Sequence, residues 1–346
     1  MKLLYITIGN HPGTLGGIQT VGRNLKKLYG RNFVFLTTRF NVKKVYKVDD
    51  VIEIFTSNKV FRAINKILNN RIRKYLVLKN IKKLKPNICM LSDPIELNLI
   101  SEEKVKKVLI QHGVVEKYIK QPDYDEIIKY PPNYFICLSI KDQKKMEEIF
   151  KKTNIIFKTI RFMTTIELLS EKKVKNKRLI VVSRLENIAK RLDLAIKAMK
   201  KISDFTLEIY GEGPAKNFYE EIIEKEKITN VFLKGGTKKV QEKLDRGSIY
   251  IITSDFEGYP VSAIEAMRRG LPLIIRDTFG AASDIIVDNT NGILLDKEWN
   301  EDKFVEAVKR VYDNYEYYSE NSKKLGKRYD AEIIKKEWDK ILMNEK

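Results

Sequence analysis

Glu257 and Glu265 stand eight positions apart in the stretch SDFEGYPVSAIEAMRRGLPLII, residues 254–275. Ionised carboxylates accept hydrogen bonds and donate none, so such a pair suits a ligand rich in hydroxyls. Eight residues make about two turns of helix, enough to span an extended polar ligand lying over the helix start. Between the two acids, Pro260 has the fixed φ of a first-turn residue, and the N–H groups of Val261 and Ser262 fall where a helix leaves its donors unsatisfied. A helix end of this kind favours an anion, a phosphate in particular. Hydroxyls and phosphate occur together in a nucleotide sugar.

The elements that must position these residues follow from the pattern. GSIYIIT reads as a buried strand, Asp255 to Gly258 as the turn, Gly270 as the helix stop and LPLII as the next strand. The full string EGYPVSAIEAMRRGLPLI, with its Gly-aromatic-Pro insert and terminal Gly-x-Pro, resembles the E-x7-E signature of retaining GT-B-fold glycosyltransferases, in particular glycosyltransferase family 4, the glycosyl transferases group 1. That resemblance implies an α/β protein of two Rossmann-like domains with an interdomain cleft and a C-terminal helix crossing back to the first domain. It also implies a donor site made by Glu257, Gly258, Tyr259, Pro260, Val261, Ser262 and Glu265. Glu257 would hold sugar hydroxyls and Glu265 the ribose.

The rest of the chain fits two domains. A length of 346 residues exceeds the usual single-domain size, and a 43% hydrophobic content supports real cores. The first half alternates MKLLYITI, NFVFLTT, NICMLS, KVLIQHG and NYFICLSI with helical segments, one of them from about 59 to 84. An irregular Lys-rich stretch follows at 163–177, and alternation restarts with RLIVVSRL, TLEIYG and NVFLKGG. This pattern predicts parallel sheets covered by helices. The expected boundaries are 1–165 for an acceptor-side domain, 176–318 for a nucleotide-sugar-binding domain and 319–346 for a helical tail returning to the first.

Further motifs belong to the same site. In VVSRLENIAKRLD, Arg184 follows a strand and Lys190 comes six residues on, so a planar fork and a point charge can share one pyrophosphate. The resembling family has this Arg and Lys with Gly before the Arg, where this chain has Ser183. Arg191 reads either as a substitute for Lys190 or as a solvated neighbour. The loop GNHPGTLGGIQT places Gly16 and Gly17 where the family lines the donor diphosphate, and its spacing is not that of a dinucleotide fingerprint. His112 ends the strand KVLIQHG, and the resemblance assigns it a contact to the donor sugar; His11 carries no expected chemical role. Glu257, Arg184, Lys190 and His112 are the expected catalytic set. GEGP at 211–214 is expected to give the backbone room near the nucleotide, and KGGTKKV at 234–240 to hold the base. At 280–284, GAASD departs from the family's glycine pair and Glu. Asp123-Tyr124-Asp125 is a D-x-D string of the kind that holds a divalent metal in other glycosyltransferases, and its place in a polar connection argues against that use. Neither a metal nor a cofactor is expected.

Charge separates the halves. Residues 1–170 carry 32 Lys and Arg against 15 Asp and Glu, whereas the remainder carries 34 against 31. Between Glu53 and Asp93 there are ten basic residues and no acidic one. Phe61, Ile64, Leu68, Ile72 and Tyr75 recur at three- and four-residue spacings, which predicts a helix with one apolar stripe and a cationic remainder that includes Arg71, Arg73 and Lys74. Such a face suits an anionic membrane surface met through the N-terminal domain, with a glycan or lipid-linked acceptor. Two cysteines, Cys89 and Cys137, lie in apolar runs and indicate a reducing compartment; MKLLYITIG reads as a first strand rather than a leader. The expectation is a cytoplasmic protein, peripheral on the inner face of the cell membrane. No nucleic-acid motif is readable, so a nucleic-acid partner is not expected. The alternative is a non-catalytic nucleotide-sugar or glycan-binding protein on the same scaffold.

Overall fold

In the computed structural model of the chain, the described residues are 1–14, 17–37, 47–54 and 71–343. They fall into two compact units, one of Met1–Met163 with Ile334–Lys346 and one of Thr164–Ile333. Each is built on a single parallel sheet. The first has β1 (Leu3–Thr7), β2 (Phe33–Thr37), β3 (Val51–Glu53), β4 (Ile88–Leu91), β5 (Lys106–Ile110), β6 (Tyr134–Cys137) and β7 (Ile156–Thr159), in the order β3-β2-β1-β4-β5-β6-β7. All residues of β1, β2 and β4 are buried, as a parallel sheet covered on both faces requires. The apolar runs do not predict β3 or β7. β3 has three residues, and edge strand β7 alternates exposed and buried positions, so neither presents an uninterrupted apolar run.

The second sheet has β8 (Arg178–Val182), β9 (Thr206–Tyr210), β10 (Val231–Leu233), β11 (Ile249–Ile252), β12 (Leu273–Arg276) and β13 (Gly292–Leu295), in the order β10-β9-β8-β11-β12-β13. In each unit the first strand pairs with two neighbours whose connections run in opposite directions, β2 and β4 around β1, β9 and β11 around β8. Ligands of open α/β sheets bind outside the carboxyl ends of the strands at such a reversal. The segments leaving β8 and β11 contain Arg184, Lys190 and Glu257. Those leaving β1 and β4 contain the glycine loop and Glu96.

Two expectations need correction. Residues 319–333 belong to the second unit, and only Ile334–Lys346 groups with the first. The helix Tyr315–Gly326 packs on the helix Val261–Arg268, where Ser319 Oγ donates to Gly270 O at 2.7 Å and Ser322 Oγ to Leu271 O at 2.9 Å. Buried hydroxyls need acceptors, and these serines find theirs on the second unit. The Lys-rich stretch is irregular as expected, yet it is anchored. Lys173 is buried and donates to Leu244 O and Asp245 O, both at 2.9 Å, at the carboxyl end of the helix Val240–Arg246, and burial holds its pKa down at about 8.

The basic helix is described over Arg71–Leu84, while Phe61, Ile64 and Leu68 lie outside the described residues. Its buried residues are Val77 and Ile81, and Tyr75 is 63% exposed, so the apolar stripe does not run through Tyr75. Arg73 is half-buried and Lys74 Nζ is 2.7 Å from Glu102 Oε1, which removes both from the freely solvated face. Arg71, Lys79, Lys82 and Lys83 remain exposed. Among the described residues no helix is long and apolar enough to cross a membrane. Cys89 and Cys137 are free and buried, and burial pushes the Cys89 thiol up to about 12.

Candidate active site

The second unit brings two loops together at the reversal of its sheet. After β8 the chain passes Ser183, exposed Arg184 and buried Leu185 into a one-turn helix, Asn187–Lys190. Glu186 caps that turn, accepting from Ile188 N at 2.7 Å and Ala189 N at 3.0 Å. The turn stops because Arg191 is left-handed, at φ 45°. Gly211 and Gly213 press against this loop from the strand β9 side. A Cβ at Gly211 would lie 1.7 Å from Ser183 O, and one at Gly213 2.2 Å from Leu185 O. The room in GEGP is therefore taken by the Arg184 loop rather than left for a nucleotide.

From β11 come Thr253 and Ser254, both buried, then Asp255 to Pro260. Asp255 N donates to Ala189 O at 2.8 Å and Thr253 Oγ1 to Lys190 O at 3.2 Å, so backbone and side chain join the loops. Lys190 Nζ stands 2.5 Å from Glu257 Oε1, and Ser254 Oγ donates to the same oxygen at 3.0 Å. Both charges are partly buried, with side chains 22% and 14% exposed, so the pair is screened less than a surface pair. Lys190 keeps two N–H donors beyond the one it gives Glu257.

Arg191 neither substitutes for Lys190 nor stands in solvent. It forks onto Asp193, at 3.1 Å from both Nε and Nη2, and places Nη1 3.1 Å from Asp255 Oδ2. Arg276 Nη1 reaches Asp255 Oδ1 at 2.6 Å from the other side. Burial works to raise the Asp255 carboxyl, but the two guanidinium groups outweigh it and hold it below the usual carboxylate range. This network fixes the base of the Glu257 loop.

The helix Val261–Arg268 opens at Pro260, φ −74°, and Gly270 ends the turn beyond it at φ 73°. Its first recorded backbone donor is Ala263, to Pro260 O at 3.0 Å. The N–H groups of Val261 and Ser262 meet no backbone acceptor among the described residues and are half-buried. Glu265, one face along, is half-buried and accepts from Thr164 Oγ1 at 3.2 Å. Burial pushes its carboxyl up to about 7 against that hydrogen bond. Tyr259 is buried, its hydroxyl 3.2 Å from that of Tyr329, so it props the loop from below. Gly258 is half-buried beside it.

In the first unit, His112 follows β5 and stacks on Phe162, ring centroids 6.0 Å apart. The Tyr5 hydroxyl, fully buried, lies 2.9 Å from His112 Nε2 and has no other hydrogen-bond partner among the described residues. A buried hydroxyl proton needs an acceptor, so Tyr5 donates to Nε2 and the ring carries its own proton on Nδ1. Burial, and then the charge of Lys117, pushes the imidazole down to about 3 and keeps it neutral. His11 acts as a loop strut. Gly13 N donates to its Nδ1 at 3.0 Å, and Nε2 donates to Glu53 Oε1 at 2.9 Å. Gly17 opens the helix Gly17–Tyr29, and Gly16 lies outside the described residues. In the helix Asp123–Lys129, Asp123 Oδ2 is 3.6 Å from Lys117 Nζ, whereas Asp125 is exposed.

With this geometry in place, comparison with known proteins is informative. Residues 166–328, nearly the whole second unit, match the family described as glycosyl transferases group 1. The chain is 34% identical over 157 residues to a poly(ribitol-phosphate) alpha-N-acetylglucosaminyltransferase of Staphylococcus aureus (strain COL), covering 43% of this chain and 32% of that one. It is 29% identical over 167 residues to a poly(glycerol-phosphate) alpha-glucosyltransferase of Bacillus subtilis (strain 168), covering 46% and 24%. The chain thus spans a third or less of the length of these two relatives. Among solved structures, a mutant of S. aureus TarM in complex with Fondaparinux, alpha-GlcNAc-glycerol and UDP superposes with a TM-score of 0.77 at 17% identity, over 99% of this chain and 100% of that one. The chain has the GT-B fold, and its residues 166–328 are similar to the glycosyl transferases group 1.

Within the second unit, the structure brings Lys190, Glu257 and the start of the helix at Val261 together, with Arg184 exposed on the adjoining loop. Sequence reasoning missed Glu96 and Tyr5. Glu96 is fully buried and accepts from Ile8 N and Ser92 N, both at 2.7 Å, and from Asp93 N at 3.1 Å, so it ties the β1 loop to the β4 loop. Asp93-Pro94-Ile95-Glu96 is a capping box, a local signal that was available in the sequence. No local signal marks Tyr5, whose partner is 107 residues away.

Proposed function

We propose that the protein is a retaining glycosyltransferase that moves a hexose-type sugar from a UDP-sugar to a hydroxyl of a glycan or lipid-linked acceptor, in cell-surface polysaccharide or glycoconjugate synthesis. One observation carries the reading: the Lys190–Glu257 pair sits at the reversal of the second sheet, beside the open N–H groups of the helix at Val261. A diphosphate needs cations and oriented donors, and a hexose needs a carboxylate to receive its hydroxyls. The hexose-type sugars in the relatives' names and the UDP in the TarM complex support the choice of ligand class.

In this reading Lys190 turns its two remaining donors to the diphosphate, while exposed Arg184 closes on it as a bidentate fork. Charge that develops as the bond from the anomeric carbon to the phosphate oxygen breaks is met by these cations and by Val261 and Ser262 N–H. Glu257 orients sugar hydroxyls, and Glu265 accepts from the ribose. The acceptor hydroxyl forms its bond to the anomeric carbon on the face the phosphate leaves, and its proton passes to a donor phosphate oxygen. That front-face course is what the family resemblance implies, and it needs no covalent nucleophile. For His112, a neutral imidazole of the first unit, the family resemblance implies a contact to the donor sugar.

Membrane contact through the first unit belongs to the same proposal, with the exposed cations Arg71, Lys79, Lys82 and Lys83 meeting anionic lipid on the cytoplasmic face. A panel of nucleotide sugars, scored for binding and slow donor hydrolysis, tests the transfer reaction. A single UDP-sugar should bind and leak sugar to water. Binding without any hydrolysis or transfer would favour a non-catalytic nucleotide-sugar-binding protein. Co-sedimentation with anionic but not neutral liposomes tests the membrane contact, and the Lys79→Glu, Lys82→Glu, Lys83→Glu variant should be released.

A further inference from the structure

A parallel sheet collects all its strand entrances at one edge and all its exits at the other. In the first unit these edges differ in charge. The segments entering β4, β5 and β7 expose Lys82, Lys83, Lys85, Lys104, Lys151 and Lys152, against Glu102 and Glu103. The segments leaving β4 and β5 are more balanced, with Asp93, Glu96, Glu116 and Asp123 accompanied by Lys117 and Lys120. On the basic edge an open groove of about 620 Å³ runs across the starts of β5, β6 and β7, lined by Lys104, Lys106, Lys107, Asn133, Tyr134 and Asn154, with Glu103 as its acidic residue.

The groove has more than charge. Lys106 Nζ lies 4.8 Å from the centroid of the Tyr134 ring and also meets Ile341 O. Lys107 Nζ is 3.3 Å from Ser101 O, and Asn133 Oδ1 accepts from Lys107 N at 2.8 Å, which leaves the Asn133 amide N–H groups to face the groove. Burial lowers the pKa of Lys106 and Lys107, the sign of cations recessed into protein rather than standing out in water. Lys104, Asn133 and Asn154 are exposed at the rim. Recessed ammonium groups favour a chain that enters the groove over a flat lipid surface, and the amides with the aromatic ring add partners for hydroxyls and an apolar sugar or polyol face.

We propose that this groove binds a linear, hydroxylated polyanion, a phosphodiester-linked polyol chain, at a site separate from the donor site. Lys106 and His112 stand at opposite ends of β5, about 20 Å apart at roughly 3.3 Å per residue, so a polymer held here lies a strand's length from the carboxyl edge. The binding claim stands on the groove alone; only the role of the polymer as an anchored acceptor rests on the transferase reading.

Fluorescence anisotropy of a labelled synthetic poly(glycerol phosphate) with the full chain tests the site. The polymer should bind at low salt, weaken as salt rises, and be unaffected by saturating UDP. Neutral dextran should not compete. The Lys104→Gln, Lys107→Gln variant should bind the polymer about tenfold more weakly or worse, having lost two of three cations, while its UDP affinity and thermal midpoint stay unchanged. Should Lys107→Gln unfold the first unit, exposed Lys104→Glu with Asn154→Asp serves the same purpose. Unchanged polymer affinity in these variants, displacement by UDP, or equal loss of binding to phosphatidylglycerol vesicles would overturn the proposal. Loss of polymer binding with UDP binding intact would support it even if no donor is ever turned over.

Discussion

The two sheets share a strand order and reverse at corresponding places, yet the carboxylates beside those reversals are used in opposite ways. In the first unit Glu96 is fully buried and accepts from three backbone N–H groups that belong to two loops. Its oxygens are occupied by the protein itself. In the second unit Glu257 is held by one ammonium and one hydroxyl on a single oxygen, and its partner Lys190 keeps free donors. The first reversal is a locked frame whose buried carboxyl is taken up by backbone N–H groups, with a neutral His112 at its edge; the second is a charged, partly solvated cradle. Topology supplies the place for a ligand, and the hydrogen-bond inventory decides whether a ligand can use it.

Breaking the frame should produce the largest change. Glu96→Ala leaves Ile8, Ser92 and Asp93 N–H without their acceptor, at about 1–3 kcal/mol for each buried donor that finds no water. A net loss of about 3 kcal/mol lowers the unfolding midpoint by roughly 6–12 °C for a unit of this size. UDP affinity measured by calorimetry at 25 °C should not change, since the proposed donor site lies on the other unit. A fall in UDP affinity without loss of stability would mean that Glu96 is not a frame residue.

Changes in the cradle should act on chemistry more than on stability. Glu257→Gln should lower turnover by roughly 10–150-fold, the worth of a charge-assisted hydrogen bond of about 1.5–3 kcal/mol, and alter UDP affinity far less, because its proposed ligand partner is the sugar. Lys190→Ala and Arg184→Ala should instead weaken UDP by a comparable factor. If both basic variants bind UDP normally, the phosphate assignment is wrong.

How much of this contrast was readable beforehand depends on whether the cause is local. The segment from β11 to β12 is a run of local signals: an uninterrupted apolar strand, a proline at the helix start, and a glycine that takes positive φ at its end. Its position and its two acids were legible for that reason. Lys190 was legible as a cation at the right distance from Arg184, but its contact with Glu257 spans 67 residues and had no local trace. Arg191 shows the same limit, because its contact with Asp255 spans 64 residues and shares that carboxylate with Arg276 of β12. Tyr75 failed for a different reason. Three- and four-residue spacing defines a stripe without saying which of two adjacent stripes meets the sheet, and Val77 with Ile81 takes that place.

A smaller effect separates the two acids of the cradle by pH. Glu265 titrates near 7 in the free protein because burial favours its neutral form. Its raised pKa means that its contribution to stability is complete below the ordinary Glu range and is lost as pH rises through about 7. Ligand binding has the opposite sign. In the proposed site ribose hydroxyls donate to the ionised carboxylate, so UDP affinity should be full above pH 7 and fall by up to about tenfold per unit as pH drops below it. Glu265→Gln should flatten this dependence. The difference between the two profiles isolates the carboxyl from the titration of UDP itself, and identical profiles would remove Glu265 from the ribose.

The smallest effect expected is that of chelation. A divalent ion would have to be held by carboxylates free of other partners, and the D-x-D string does not offer two. Asp123 faces Lys117 across 3.6 Å, and Asp125, two positions on in the same short helix, points to solvent. Both also belong to the first unit, whereas the diphosphate charge in the proposed reaction is met in the second by Lys190, Arg184 and the helix at Val261. EDTA should therefore change turnover by less than about twofold, because fixed donors and cations supply the transition-state charge stabilisation that a metal supplies elsewhere. The informative control is Asp123→Asn with Asp125→Asn. Abolition of turnover by EDTA, its restoration by Mg²⁺ or Mn²⁺, and its loss in this double variant would place the diphosphate on the first unit's carboxylates and reverse the roles given to the two sheets.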